Sequence, residues 1–241
     1  MTVATGLGDP PEHLIGFPEA VPVAELHRLS EFPGSWWFAS TSDGTSTSDG
    51  TSTGDGTSTG DGSSTGDGSD ACTGGRFDLQ VPNGTCYLAD SLTGAVVEKL
   101  LRAPVKVVVA ERLDELFHTV VTVRRTPVVA DLTARRGTGF GLNAEIHTTL
   151  HYGRTRRWAV AFHRSGFRGL RHRLRGDVSQ RLAGWALFGT AGLRHRAPNG
   201  MTTAVRRLDQ VVVEQVLERL GVELRSIPAV VPVVQPPPRR R

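Results

Sequence analysis

The stretch GRFDLQVPNGTCYLADSLTGAVVEKL (75–100) decides the fold. Within it, TCYLA alternates in the manner of a short strand. Ser91 follows and is placed to cap a helix in which Leu92, Val96 and Leu100 recur at helical spacing. Pro104 ends that helix. A strand leading into a capped helix carries three residues with chemistry at intervals of eleven: Arg76, Tyr87 and Glu98. A glutamate on an apolar helix is unusual unless it is paired; the alternative is a solvent-facing Glu98 beside Lys99 and Arg102.

Outward from this centre, strands and helices interleave. AELHRLSEFPGSWWFAS (24–40) is apolar enough for a strand and a buried loop. HTVVTVRR and TPVVADL (118–132) read as strands from their β-branched content. Residues 143–152 and 155–164 read as helices capped by Asn143 and Thr155, and FRGLRHRL and GWALFGT as strands. TAVRRLDQVVVEQVLERL (203–220) has a strong amphipathic pattern and a natural stop at Gly221. The spacing is not a regular βαβ series, so the predicted class is α+β rather than a parallel α/β sheet.

Composition narrows the function. All 30 residues of 41–70 are Ser, Thr, Gly or Asp, in a hexameric register of the type TSTGDG. With no apolar side chain to bury, the segment reads as a flexible insertion; its period and lack of a packing residue do not suit a calcium-binding β-helix. The chain divides into an extension (1–23), a domain (24–222) holding this insertion, and a Pro/Arg-rich tail (223–241). The net charge of +4 hides −11 over residues 1–100 and +15 over 101–241. Without the repeat's six aspartates the remaining 211 residues carry +10. No apolar run spans a membrane and no secretory signal is visible, so the expected setting is cytoplasmic. Two cysteines, Cys72 and Cys86, exclude a disulfide framework or a four-cysteine zinc site.

Several motifs carry less. His147 and His151 stand at i and i+4, but the glutamate of H-E-x-x-H is missing, so no metal is expected. GTGFG (137–141) follows two arginines and reads as a loop rather than a phosphate cradle. Arg171, Arg173 and Arg175 alternate as on one face of a strand, which suits a polyanionic ligand such as a pyrophosphate. Nucleic acid is the disfavoured alternative, because no helix-turn-helix or zinc-finger pattern accompanies the arginines.

The blocks LHRL, GRFD, GTCYLADSLTGAVVEKL, TRRWAVAF, GLRHRLRGD and ALFG, in this order over residues 24–200, resemble the RES domain family. The resemblance implies an ADP-ribosyltransferase-like mixed β core with flanking helices. It implies consumption of NAD⁺ as a substrate, with inorganic phosphate, water or a protein side chain as acceptor and no bound cofactor. It also implies toxin action with a helix-turn-helix antitoxin as partner; a homo-oligomer is left open. By the same resemblance Arg28 takes the position of the family arginine and Glu98 that of the family glutamate. Tyr87 is the pocket tyrosine, and Arg76 a further pocket arginine. The family serine falls on Leu174, in RHRLR (171–175), where an alkyl group would replace a hydroxyl. That departure keeps open a catalytically degenerate dinucleotide-binding protein.

Overall fold

The computed structural model describes residues 6–33, 36–42, 45–47, 74–101 and 107–227. The first half contains β1 (Glu25–Ser30), β2 (Trp36–Phe38), β3 (Ser40–Ser42), β4 (Thr45–Thr47), β5 (Leu79–Gln80), β6 (Asn83–Ala89), α1 (Leu92–Leu100), β7 (Val107–Val109), α2 (Glu111–Asp114) and β8 (Phe117–Val123). The second contains β9 (Ala130–Asp131), a 3₁₀ turn (Arg135–Phe140), α3 (Glu145–Thr148), α4 (Tyr152–Arg164), β10 (Gly169–Arg173), β11 (Ala183–Thr190), β12 (Gly192–Arg194), β13 (Met201–Arg207), α5 (Gln210–Arg219) and β14 (Glu223–Arg225).

A seven-stranded sheet, ordered β13-β8-β1-β6-β11-β10-β9, forms the framework. All its pairings are antiparallel except β10 with β9, so the α+β reading holds. The alternation of TCYLA is real: Cys86 and Leu88 pack on one face of the sheet with Trp185 and Leu187, opposite which they lie in register. Tyr87 and Ala89 therefore turn to the other face, where α1, α4 and α5 pack. Trp158 and Phe162 of α4 are fully buried there, each contributing about 1.5–3 kcal/mol of transfer free energy. The ribbon β2–β12 covers the first face with Trp36 and Phe38. Ser91 caps α1 as expected, its Oγ accepting from Gly94 N at 3.1 Å.

Four local expectations change. The helix expected over 203–220 is a strand and then a helix: Met201–Arg207 pairs along its whole length with β8, and α5 begins after Asp209, whose side chain accepts from Val212 N. The β-branched Thr202, Thr203 and Val205 favour that ladder over the helix. The helix expected over 143–152 shrinks to Glu145–Thr148, after which the Thr149 hydroxyl accepts from His151 N and turns the chain. Helix α4 consequently starts at Tyr152, and Thr155 is an interior, fully buried residue rather than a cap. TPVV forms no strand, leaving only Ala130–Asp131 on β10.

The segment read as an N-terminal extension packs into the core, with Leu7, Leu14 and Phe17 buried against α4 and its neighbours. Trp158 Nε1 donates to Gly8 O at 2.9 Å and Arg154 Nη1 to Leu7 O at 3.0 Å. At the start of the repeat, Ser40–Ser42 pairs with Thr45–Thr47, so the first turn read as flexible forms a short ladder. Residues 48–70, Cys72, Arg102 and the tail beyond 227 lie outside the described residues. Cys86 is buried. Among the described residues no helix is long and apolar enough to cross a membrane.

Candidate functional site

A cleft opens where the loop before β5, the strand β6, the helix α1 and the start of α4 converge with the end of β10. Arg76, Tyr87, Glu98, Tyr152, His172 and Arg175 supply its polar walls. Each is placed by an element already described. The pleat of β6 turns Tyr87 toward the helices, and α1 presents Val97 and a half-buried Glu98 in its last turn. Its sequence neighbour Lys99 reaches Glu31 at 3.2 Å.

The loop carrying Arg76 is held from two sides. Tyr87 OH accepts from Phe77 N at 2.9 Å and donates to Asp78 Oδ1 at 2.8 Å. Asp78 Oδ2 in turn accepts from Gly75 N at 2.5 Å. A Cβ at Gly75 would collide with both the Tyr87 hydroxyl and the Asp78 carboxylate, so this close approach requires glycine. From the other side α4 donates Thr155 Oγ1 to Arg76 O at 2.5 Å and Arg156 Nε to Gly75 O at 3.3 Å. The Tyr87 proton is thus engaged by Asp78, which makes the residue a holder of the Arg76 loop.

Arg76 is buried, and its Nε has no acceptor among the described residues. Burial pulls its guanidinium below the ordinary arginine value; Tyr152, Glu98 and Tyr87 oppose the shift, while Arg175 adds to it. Those couplings place an acidic and two basic groups around one cleft. Arg175 also donates to Tyr152 OH at 3.3 Å. The turn after it is fixed by buried Asp177, which accepts from the Ser179 hydroxyl at 2.6 Å and from the backbone of Arg181 and Leu182. Burial would raise the Asp177 carboxyl, but these hydrogen bonds win and hold it below its ordinary value.

His172 is the most enclosed member of the set. Its Nδ1 lies 3.0 Å from Arg173 O, and its ring packs at 4.9 Å from that of Phe77. Burial, aided by Arg76 and Arg171, lowers its pKa to about 3 against a weaker raising effect from Arg173 O. Gly184 makes room for it: a Cβ there would stand 2.8 Å from His172 Nε2. His147 is buried nearby and pushed down to about 3, chiefly by burial and then by His172. His151 is exposed outside the short α3, so the i, i+4 pair does not share a helix.

Arg76, Tyr87 and Glu98 are therefore brought together, and Arg28 is not with them. His27 lies opposite Ala89, so the pleat sends Arg28 to the face of Leu26 and Leu88, away from Tyr87. Leu174 does not line the cleft either; it is fully buried, packed where Gly94 and Gly184 leave space. Tyr152 and His172 were not singled out by the sequence as site residues, and Arg175, read with Arg171 and Arg173 as one strand face for a polyanion, lies beyond the end of β10 at Arg173. Arg175 and His172 lay within the arginine-rich block, and only the fold shows that they face Glu98's cleft rather than solvent.

The RES domain family model matches residues 58–207, which include Arg76, Tyr87, Glu98 and Leu174 but not Arg28. No curated protein matches the chain. A crystal structure of the M. tuberculosis MbcT-MbcA toxin-antitoxin complex is similar at a TM-score of 0.43 and 18% identity, over 59% of this chain and 75% of that one. The family match spans 150 of the 241 residues and contains the convergent part of the cleft, so this chain belongs to the RES domain family.

Proposed function

We propose that the protein is an NAD⁺-consuming enzyme that breaks the bond between nicotinamide and ribose. The observation that carries this reading is the convergence of Arg76, Glu98 and Arg175 on one cleft within the family-matched region. A carboxylate flanked by two guanidinium groups suits a substrate that is anionic at its diphosphate and becomes cationic at its sugar.

When the C1′–N1 bond breaks, the bonding pair leaves with nicotinamide, which departs neutral and needs no strong acid. The ribose left behind has oxocarbenium character, as in glycoside hydrolysis. Glu98 stabilises that charge and accepts from a ribose hydroxyl. Arg76 and Arg175 grip the diphosphate through charge-assisted hydrogen bonds, the task that family resemblance would give to Arg28. Tyr87 acts through the loop, keeping Arg76 in reach. The acceptor that attacks C1′ is phosphate or water.

The test is direct. Purified protein is incubated with NAD⁺, with and without phosphate, and free nicotinamide is measured against a Glu98→Ala control. Release above that control supports the reading, and phosphate dependence separates phosphorolysis from hydrolysis. Release no greater than the control overturns it. The degenerate-pocket alternative rested on Leu174, whose side chain lies off the cleft wall. As a toxin the protein would act with an antitoxin, the partner that the family resemblance implies.

A further inference from the structure

Helix α4 is gripped on two opposite sides. Toward the cleft, Thr155 and Arg156 donate to the carbonyls of Arg76 and Gly75, and the Tyr152 hydroxyl accepts from Arg175. At 3.6 residues per turn, Arg154, Arg157 and Trp158 fall on the other side of the helix. Residues 6–20, which precede the family-matched region, lie along that side. Both backbone groups of Leu7 are engaged by side chains, its N–H by Glu145 of α3 and its carbonyl by Arg154 Nη1 at 3.0 Å. Trp158 Nε1 donates to Gly8 O at 2.9 Å, and Arg157 meets Asp9 at 2.6 Å in an exposed pair that adds little. Farther on, the buried Phe17 ring packs on Phe162 of α4 with centroids 4.7 Å apart. The segment then joins the sheet edge at β9, Pro18 O accepting from Asp131 N and Ala20 N donating to Val129 O, each at 2.8 Å.

Resting on the NAD⁺ reading, we infer that residues 6–20 are a strap that positions the diphosphate grip: by seating one side of α4 they fix where its other side holds Arg76 and Arg175. Arg154 and Trp158 are the positioning residues through which the strap acts, and neither lines the cleft. A helix moves as a unit, so a shift on the strap side is passed to the Arg76 loop, and small misplacements of binding groups weaken a site. Helix α1, which carries Glu98, packs in a separate part of the core from the strap. Loosening the strap should therefore weaken substrate binding more than it slows the chemistry.

Two measurements on the full chain test this. Amide hydrogen exchange is followed at Gly75 and Phe77, both bonded within the Arg76 loop, and KM and kcat for NAD⁺ are read from nicotinamide release. Arg154→Met removes the donor to Leu7 O and keeps the alkyl stem, Arg154→Lys keeps a donor, and Trp158→Phe removes the donor to Gly8 O and keeps a ring. Val121→Ala, a buried change on the opposite face of the sheet, controls for general loss of stability. Arg154→Met and Trp158→Phe are expected to speed exchange at the two amides by about threefold or more and to raise KM by about threefold to tenfold, with kcat within about twofold of wild type. Arg154→Lys should recover most of both, and Val121→Ala should leave both near wild type. Wild-type exchange in Arg154→Met, whose side chain is exposed and whose loss the fold should tolerate, overturns the inference. An equal change in Val121→Ala, or a fall in kcat at unaltered KM, overturns it as well. Faster loop exchange in the strap variants of a protein that releases no nicotinamide would support the hold of the strap on the loop while removing the NAD⁺ reading, so the two failures are distinguishable.

Discussion

Replacing Tyr87 with phenylalanine keeps the ring and removes one oxygen, which isolates the loop clamp. That oxygen accepts from Phe77 N at 2.9 Å and donates to Asp78 Oδ1 at 2.8 Å. Phe77 and Asp78 are 0% and 1% exposed, so water does not replace either contact. A neutral hydrogen bond of this kind contributes about 1 kcal/mol and one to a carboxylate about 1.5–3 kcal/mol, giving an expected loss of about 2–4 kcal/mol. For a chain of this size each kcal/mol lowers Tm by about 2–4 °C, so the variant should melt about 5–15 °C below wild type. The functional consequence differs from that of losing a catalytic group. Freed from its clamp, Arg76 should hold the diphosphate less well and raise KM for NAD⁺, with kcat changed less. Asp78 does not line the cleft, yet Asp78→Asn should raise KM in the same direction, and the double variant should add little to either single one. Calorimetric melting and initial-rate kinetics on the four proteins read both effects. Wild-type Tm and KM in Tyr87→Phe would refute the clamp. A raised KM in Tyr87→Phe with an unaltered one in Asp78→Asn would assign the hydroxyl to the substrate instead.

Glu98→Gln is expected to lower kcat by about 100-fold or more while leaving the melting temperature near wild type, since the residue is half-buried on the cleft side of α1; activity within tenfold of wild type would remove Glu98 from the chemistry. Thr155→Val deprives the Arg76 carbonyl of its buried donor and should cost about 1–3 kcal/mol in denaturant titration, with a raised KM alongside. Acid should weaken the fold well above the carboxylate range. His147 and His172 sit near 3 and His118 near 4, all pushed down first by burial. The unfolded chain takes up these protons from about pH 6.5 and the folded one only near those lower values, so stability falls across that window by up to about 1.4 kcal/mol per pH unit for each histidine. Urea midpoints that stay constant between pH 7 and pH 5 would contradict that burial.

The parts of the fold legible in the sequence were those where one period dominated. TCYLA and the helix after Ser91 came out as read, because a strand buried on both faces and a capped helix leave strong local patterns. The 203–220 segment misled because its helical periodicity extended back over residues that tertiary pairing claims for β13. Arg76, Tyr87 and Glu98 were legible through the family spacing, and Arg175 through the arginine alternation, whereas Tyr152 and His172 reach the cleft from distant segments and leave no spacing of their own. Arg28, assigned by resemblance, stands on the sheet face opposite Tyr87 for a reason of parity: one residue along a strand is the difference between two faces of a sheet.

The same parity bears on Leu174, which the family resemblance sets at the serine position. Leu174 follows His172 by two positions and so shares its side of the strand, but it ends deeper, filling the room left by Gly94 and Gly184. A Cβ at Gly184 would stand only 2.6 Å from Leu174 Cδ2. The leucine is therefore part of the packing of α1 onto the sheet, and α1 is the helix that carries Glu98. Placing a serine there removes three carbons from a closed space and adds a hydroxyl. The expected result of Leu174→Ser is a loss of about 2–5 kcal/mol, as for other large-to-small core changes, together with lower rather than recovered activity. Denaturant midpoints and nicotinamide release on that single variant decide the matter. Higher turnover at unchanged stability would mean that the hydroxyl belongs in the cleft and that the leucine had silenced it; the two glycines against which the leucine packs argue for the opposite outcome.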